Sequence, residues 1–202
     1  YISSRGMQII NERIIKTLET YHRQYPLRPG YPREDMRSRF FKHINPKAFN
    51  LIIKYLEEQG SLNSLNNQLM IAGYRPLPSE EMQMAIKQVV ETIEGNLFNP
   101  PALEQVRAVS GRNEAEFGEI IAYLLDTGVL VKVTPDIIFS QRAIEEGKNI
   151  LGRYFEQEKE LSLATARDLF NTSRRYALPL IEYYDKIRFT RRVGDMRVRM
   201  QT

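Results

Sequence analysis

The chain has 202 residues, 42% of them hydrophobic and 27% charged, with 29 Lys+Arg against 25 Asp+Glu for a formal charge of +4. It has no cysteine, which excludes disulfide scaffolds and cysteine-based zinc modules, and its apolar runs are too short to span a membrane. Length and apolar content allow one or two ordinary domains or several small ones. With no secretory leader pattern, a soluble cytoplasmic protein is expected, and Tyr1 in place of methionine reads as a piece of a longer chain.

In chain order, apolar residues at Ile10, Ile14, Leu18, Tyr21 and Tyr25 predict a first helix. A short second helix follows from Pro32 to Phe41, with proline in the first turn, where its missing N–H matters least. A third helix ends in Tyr55-Leu56-Glu57-Glu58-Gln59-Gly60 after the apolar pair Ile52-Ile53. Strand-like stretches Ser61–Ser64 and Gln68–Ile71 then flank a turn at Asn66-Asn67.

This order recurs twice. The second pass has Met82, Ile86, Val89 and Ile93, then Ala102 to Val109, then Ile120-Ile121 before Tyr123-Leu124-Leu125-Asp126-Thr127-Gly128, and strands Val129–Val133 and Ile137–Phe139. The third has Ile144, Gly147, Leu151 and Phe155, then Leu163 to Phe170, then Leu180-Ile181 before Tyr183-Tyr184-Asp185-Lys186-Ile187-Arg188. Its strands are Phe189–Val193 and Met196–Met200 around Gly194-Asp195. Gly60 and Gly128 stand where a left-handed residue ends a helix; Arg188 breaks that rule.

Three helices followed by a hairpin is the order of a winged helix, in which helices two and three form a helix-turn-helix and the hairpin is the wing. The predicted fold is therefore mainly α with small β-hairpins, a tandem array of three winged helices over 7–76, 77–140 and 141–202. The Pro76-Leu77-Pro78-Ser79 stretch marks the first boundary and residues 140–143 the second.

Charge is unevenly placed: 12 basic and 6 acidic side chains in 1–76, 4 and 10 in 77–140, 4 and 5 in 141–160, and 9 and 4 in 161–202. A basic terminal unit attracts phosphates while an acidic neighbour repels them. Enzyme chemistry finds no support. There is no phosphate-binding glycine loop, and the only histidines, His22 and His43, have no acidic residues at metal-ligand spacing, so no catalytic or metal site is expected.

Ser173-Arg174-Arg175-Tyr176 opens the third helix of the last unit, and Arg191, Arg192, Arg197 and Arg199 lie in its wing. A helix start offers unpaired amides to a phosphate; the arginines add charge, Ser173 can cap the helix or bond a phosphate oxygen, and Tyr176 can stack on an unpaired base. Exposed sheet-edge charges and a core tyrosine account for the same residues equally well one at a time. Strand alternation sends Arg191 and Arg192 to opposite faces. Pro179, about six residues into the helix, removes a helical hydrogen bond and is awkward for a straight groove-filling helix, a lean toward RNA over DNA.

Two stretches, one from Tyr21 to Arg39 and one from Ala166 to Asp195, resemble the winged helices of the bacterial selenocysteine-specific elongation factor SelB. Tyr21-His22-Arg23-Gln24-Tyr25-Pro26-Leu27-Arg28-Pro29-Gly30 with Arg33-Glu34-Asp35-Met36-Arg37-Ser38-Arg39 is similar to the opening of a middle unit. Ala166-Arg167-Asp168-Leu169-Phe170-Asn171-Thr172-Ser173-Arg174-Arg175-Tyr176 through Tyr183, with Phe189-Thr190-Arg191-Arg192-Val193-Gly194-Asp195, is similar to the last. The resemblance implies units two to four of four, with residues 1–6 left from a preceding wing, the first two units as spacer and hinge, and the GTPase part elsewhere. It implies an RNA-binding set of Arg167, Ser173, Arg174, Arg175, Tyr176, Arg191, Arg192 and Arg197, gripping the SECIS mRNA hairpin that recodes UGA as selenocysteine. GTP and Mg would belong to the absent part, and ribosome and selenocysteinyl-tRNA would be partners through the full-length protein; a monomer with no membrane contact is expected. Arg188 replaces the family's usual glycine before the wing, which leaves the aim of the first wing strand open. A winged-helix DNA-binding regulator and a scaffold that docks an acidic protein are the alternatives.

Overall fold

A computed structural model describes residues 3–200. It forms two compact units, 1–79 and 80–202. In the first, α1 (Ser4–Gln24) leads through β1 (Tyr31–Pro32) to α2 (Arg33–Phe40), α3 (Pro46–Glu58), β2 (Leu62–Leu65) and β3 (Gln68–Ile71). Ser3 caps α1 by accepting from the Gly6 amide, so residues 4–6 are helical; this corrects the reading of 1–6 as the end of a wing, whose first two residues lie outside the described ones. Helix formation wins there because the cap satisfies an amide of the first turn. Asn45 caps α3 in the same way, with Pro46 in the first turn.

Ile14 and Leu18 of α1, Met36 of α2, and Phe49, Ile52, Ile53 and Leu56 of α3 close over Leu62 and Leu69 of the wing. The hairpin is three-stranded, in the order β1-β3-β2, because Tyr31 and Pro32 pair with Leu69 and Gln68. Gly30 permits this approach: a Cβ there would stand 2.6 Å from the Leu69 carbonyl oxygen. Pro32 is accordingly a strand residue and the N-cap of α2, one place before its expected position in the first turn.

The second unit holds two further groups of the same order. The first is α4 (Glu80–Glu94), α5 (Leu103–Ser110), α6 (Glu114–Asp126), β4 (Leu130–Lys132) and β5 (Ile138–Ser140). The second is α7 (Gln141–Gln157), α8 (Leu163–Leu169), α9 (Arg174–Lys186), β6 (Thr190–Val193) and β7 (Met196–Arg199). No linker separates them. Ser140 ends β5 and, buried, caps α7 by accepting from the Ala143 amide at 3.1 Å. Phe98 stacks on Phe170 with centroids 4.9 Å apart, Thr172 Oγ1 donates to the Phe98 carbonyl at 2.7 Å, and the Asn99 side-chain amide donates to the Asn171 carbonyl at 3.2 Å. The shared core runs through Ile137, Phe139, Ile144, Leu151, Leu180 and Tyr184.

The three repeated helices end alike. Gly60, Gly128 and Arg188 take φ of 70°, 74° and 61°. The Arg188 amide donates to Asp185 and the Phe189 amide to Tyr184, just as Gly60 donates to Glu57 and Ser61 to Leu56. Arginine thus holds the left-handed position that glycine holds in the other copies, and the wing leaves the helix in the same manner.

Candidate nucleic-acid interface

α9 starts at a sharp reversal, with Asn171 at φ 46° and Ser173 extended at the N-cap. Ser3, Asn45, Asn113, Ser140 and Ser162 all cap their helices through the side chain, whereas the Ser173 side chain makes no cap hydrogen bond. The start of α9 thus has no side-chain cap, and Ser173, Arg174 and Arg175 are all exposed there. Pro179, inside α9, has no N–H to give to the Arg175 carbonyl.

The wing approaches this helix start from one side. β6 and β7 pair Thr190 with Arg199, Arg191 with Val198, Arg192 with Arg197 and Val193 with Met196. Cross-strand partners share a face, so Arg192, Arg197 and Arg199 lie on one side and Arg191 on the other, with Val198. Arg174, Arg192 and Arg197 line one open hollow of about 370 Å³ together with Leu163, Leu178 and the carboxylates of Glu182 and Asp195. Arg192 is held across the turn, donating from Nε to the Gly194 carbonyl at 2.9 Å and standing 3.7 Å from Asp195.

Two residues of the expected set make contacts within the protein. Arg197 is 3% exposed. Its Nε stands 3.4 Å from Asp185 Oδ2, while Asp185 Oδ1 accepts from Thr190 Oγ1 at 2.6 Å. Its backbone exchanges hydrogen bonds with Leu161 at 2.9 and 2.8 Å, the place that β1 fills in the first unit. The short wing is tied to its helices through this residue, which turns the guanidinium inward to the half-buried Asp185. Tyr176 is half-buried; its hydroxyl donates to the Pro100 carbonyl at 3.1 Å and its ring meets Phe139 edge-on, so it joins the two winged helices of the unit. Arg175 lies over that ring, 5.4 Å from its centroid.

Arg167 is exposed in the last turn of α8 and is paired with the adjacent Asp168 at 2.9 Å. The geometry thus brings Arg174 to Arg192, with Ser173 and Arg175 adjoining Arg174 at the helix start, leaves Arg167 beside its own counter-charge, and sends Arg191 to the far face of the wing. Arg199, absent from the expected set, shares the Arg192 face, with its guanidinium 6.0 Å from the Phe189 ring centroid. Strand pairing, had the register been known, marks it out. Among the described residues, no cluster of His, Asp and Glu is placed to hold a metal ion, and no helix is long and apolar enough to cross a membrane.

Family models described as "Elongation factor SelB, winged helix" match residues 15–69 and 153–199, together half of the chain. The chain belongs to the SelB family. Curated relatives include the selenocysteine-specific elongation factors of Desulfomicrobium baculatum, 28% identical over 188 residues, and of Escherichia coli strain K12, 27% identical over 183. Each alignment covers 91% of this SelB chain and 29% of the relative, so the chain spans under a third of their length. A solved bacterial selenocysteine-specific elongation factor aligns over 99% of this chain and 32% of its own, at TM-score 0.62 and 18% identity. The mRNA-binding domain of the E. coli factor, solved in complex with SECIS RNA, aligns over its full length and 61% of this chain, at TM-score 0.51 and 24% identity. Both likenesses carry the tandem winged-helix fold.

Proposed function

We propose that the last winged helix of this SelB chain grips an mRNA hairpin of the SECIS type, and that the rest of the chain positions that module for a selenocysteine-specific elongation factor decoding UGA. The observation that carries this reading is the exposed start of α9 at Ser173, Arg174 and Arg175, where Arg174 shares a hollow with Arg192 of the wing. Such a ridge suits phosphates on both sides of a folded RNA loop. Family membership supports the choice of hairpin over a palindromic duplex, as does the proline inside α9. GTP and Mg would be handled by the part of the factor outside this chain, as would contact with selenocysteinyl-tRNA and the ribosome; the setting would be the cytoplasm.

The test is an electrophoretic shift with the selenocysteine-insertion hairpin of the source organism. Arg174→Ala with Arg175→Ala should weaken binding by about tenfold or more at moderate salt and flatten the salt dependence by about two units of slope. Unchanged affinity, or equal competition by a palindromic DNA duplex, would overturn the reading.

A further inference from the structure

In the first unit the charge sits in a different place. Its wing strands, residues 62–71, contain no lysine or arginine, so the hairpin that holds four arginines in the last unit has no basic side chain here. Four of its cations line instead an open groove of about 710 Å³ between α1, β1 and α2, a volume in the range of sites that hold small ligands, roughly 300–1,000 Å³. Arg13, Lys16, Arg28 and Arg39 line it, against the single carboxylate of Asp35.

Between these cations runs a row of rings. Tyr25 and Tyr31 each lie within 4.9 Å of Tyr21, at 4.9 and 4.7 Å between centroids, and Phe40 continues the row 6.3 Å beyond Tyr31. Guanidinium groups stand at both ends: Arg28 is 4.2 Å from the Tyr25 centroid and Arg13 is 5.9 Å from that of Phe40. Lys16 and Arg39 are exposed, and among the described residues neither has an acidic partner. Aromatic faces interleaved with cations, in a groove open along its length, are the recurring means of holding unpaired nucleotides: rings take bases whatever their identity, and cations follow the backbone. A purely acidic partner would leave the rings unused.

We infer that this groove is a second RNA site, one that takes a short unpaired stretch of RNA, with Lys16 and Arg39 on its phosphates and the Tyr25–Tyr21 face against a base. The choice of RNA over other polyanions rests on the function proposed above; the site itself shares no residue with the α9 ridge. It gives the first unit a ligand of its own.

The experiment uses the whole chain carrying Arg174→Ala and Arg175→Ala, which disables the ridge, and a fluorescein-labelled single-stranded RNA of about eight mixed-sequence nucleotides, read by anisotropy at about 50 mM salt. Binding is expected, and Lys16→Ala with Arg39→Ala, both surface changes, should weaken it about tenfold and lower the salt slope by about two. Tyr25→Leu should weaken it while leaving the salt slope in place. Absence of binding, indifference to the Lys16 and Arg39 changes, or displacement by a poly-glutamate peptide as readily as by unlabelled RNA would overturn the inference. Hairpin binding by the chain with Arg174 and Arg175 intact, measured in parallel, shows separately whether the ridge works.

Discussion

The hydroxyl of Tyr184 on α9 lies over Gly147 on α7 and donates to the Ile144 carbonyl at 2.9 Å. A Cβ on Gly147 would stand 2.0 Å from that oxygen and 3.1 Å from the ring carbon that bears it. Tyr184 is fully buried, and burial pushes its phenol pKa up, so it stays a neutral donor. Glycine in mid-helix ordinarily costs about 1 kcal/mol relative to alanine, yet here the small residue is what lets α9 seat against α7. Gly147→Ala should therefore destabilise the chain by about 1–3 kcal/mol through overpacking. Tyr184→Phe alone should cost about 1 kcal/mol for the lost hydrogen bond, but introduced into the Gly147→Ala chain it should restore stability. Urea unfolding of the four proteins checks this; additive losses would show that the contact is not the constraint.

Arg188 offers the converse case. At φ 61° its Cβ is strained, and the helix ends of the other two copies use glycine at the same place. Arg188→Gly should raise stability by about 0.5–1 kcal/mol, seen as a rise of a few degrees in the melting temperature of the unit that holds α9. A lower melting temperature would mean that the Arg188 side chain makes a stabilising contact that outweighs the backbone strain.

The element order was legible in the sequence because each of the three third helices writes the same signal: an apolar pair, a tyrosine, a polar stop and a hairpin. Turn residues were equally plain, with Asn66 and Asn67 both at positive φ in the first wing. What escaped was set by pairing between distant segments. Pro32 reads as a helix start, since nothing local says that Gln68 and Leu69 will lie alongside Pro32 and Tyr31, and Gly30 tells of a close approach only once the partner is known. The site followed the same division. Ser173, Arg174 and Arg175 announce themselves by their place at a helix start, whereas the inward turn of Arg197 depends on Asp185, twelve residues away, and the fate of Tyr176 on a carbonyl of the preceding winged helix. A row of arginines in a hairpin looks uniform until register assigns each one a face.

That division can be tested by separating stability from binding. Arg197→Ala removes the partner of a half-buried carboxylate and loosens the tie between β7 and α9, and should cost about 1–3 kcal/mol in unfolding experiments. Arg174→Ala removes an exposed side chain and should change stability by no more than about 0.5 kcal/mol while weakening RNA binding. Reversal of this pattern, with Arg197→Ala stable but deficient in binding, would place Arg197 on the ligand.

The first unit should respond to acid through His22. This side chain is 6% exposed, its ring stacks on Tyr74 at 3.5 Å between centroids, and its Nε2 accepts from the Ile71 amide at 3.4 Å. An acceptor at Nε2 requires the neutral ring, and burial lowers the pKa from 6.5 to about 4. The unfolded chain thus takes up a proton before the folded one does. Stability is fully present above the unfolded value near 6.5 and is lost as pH falls toward the folded value of about 4, by at most about 3 kcal/mol. His22→Phe lacks the acceptor and should be less stable at neutral pH, but it has no proton to gain, so the stability difference between the two proteins should narrow from pH 7 to pH 4.5. Calorimetric unfolding at several pH values between those limits, with the transition of the first unit followed, measures the difference directly; a constant gap across the window would mean that His22 titrates alike in the folded and unfolded chain.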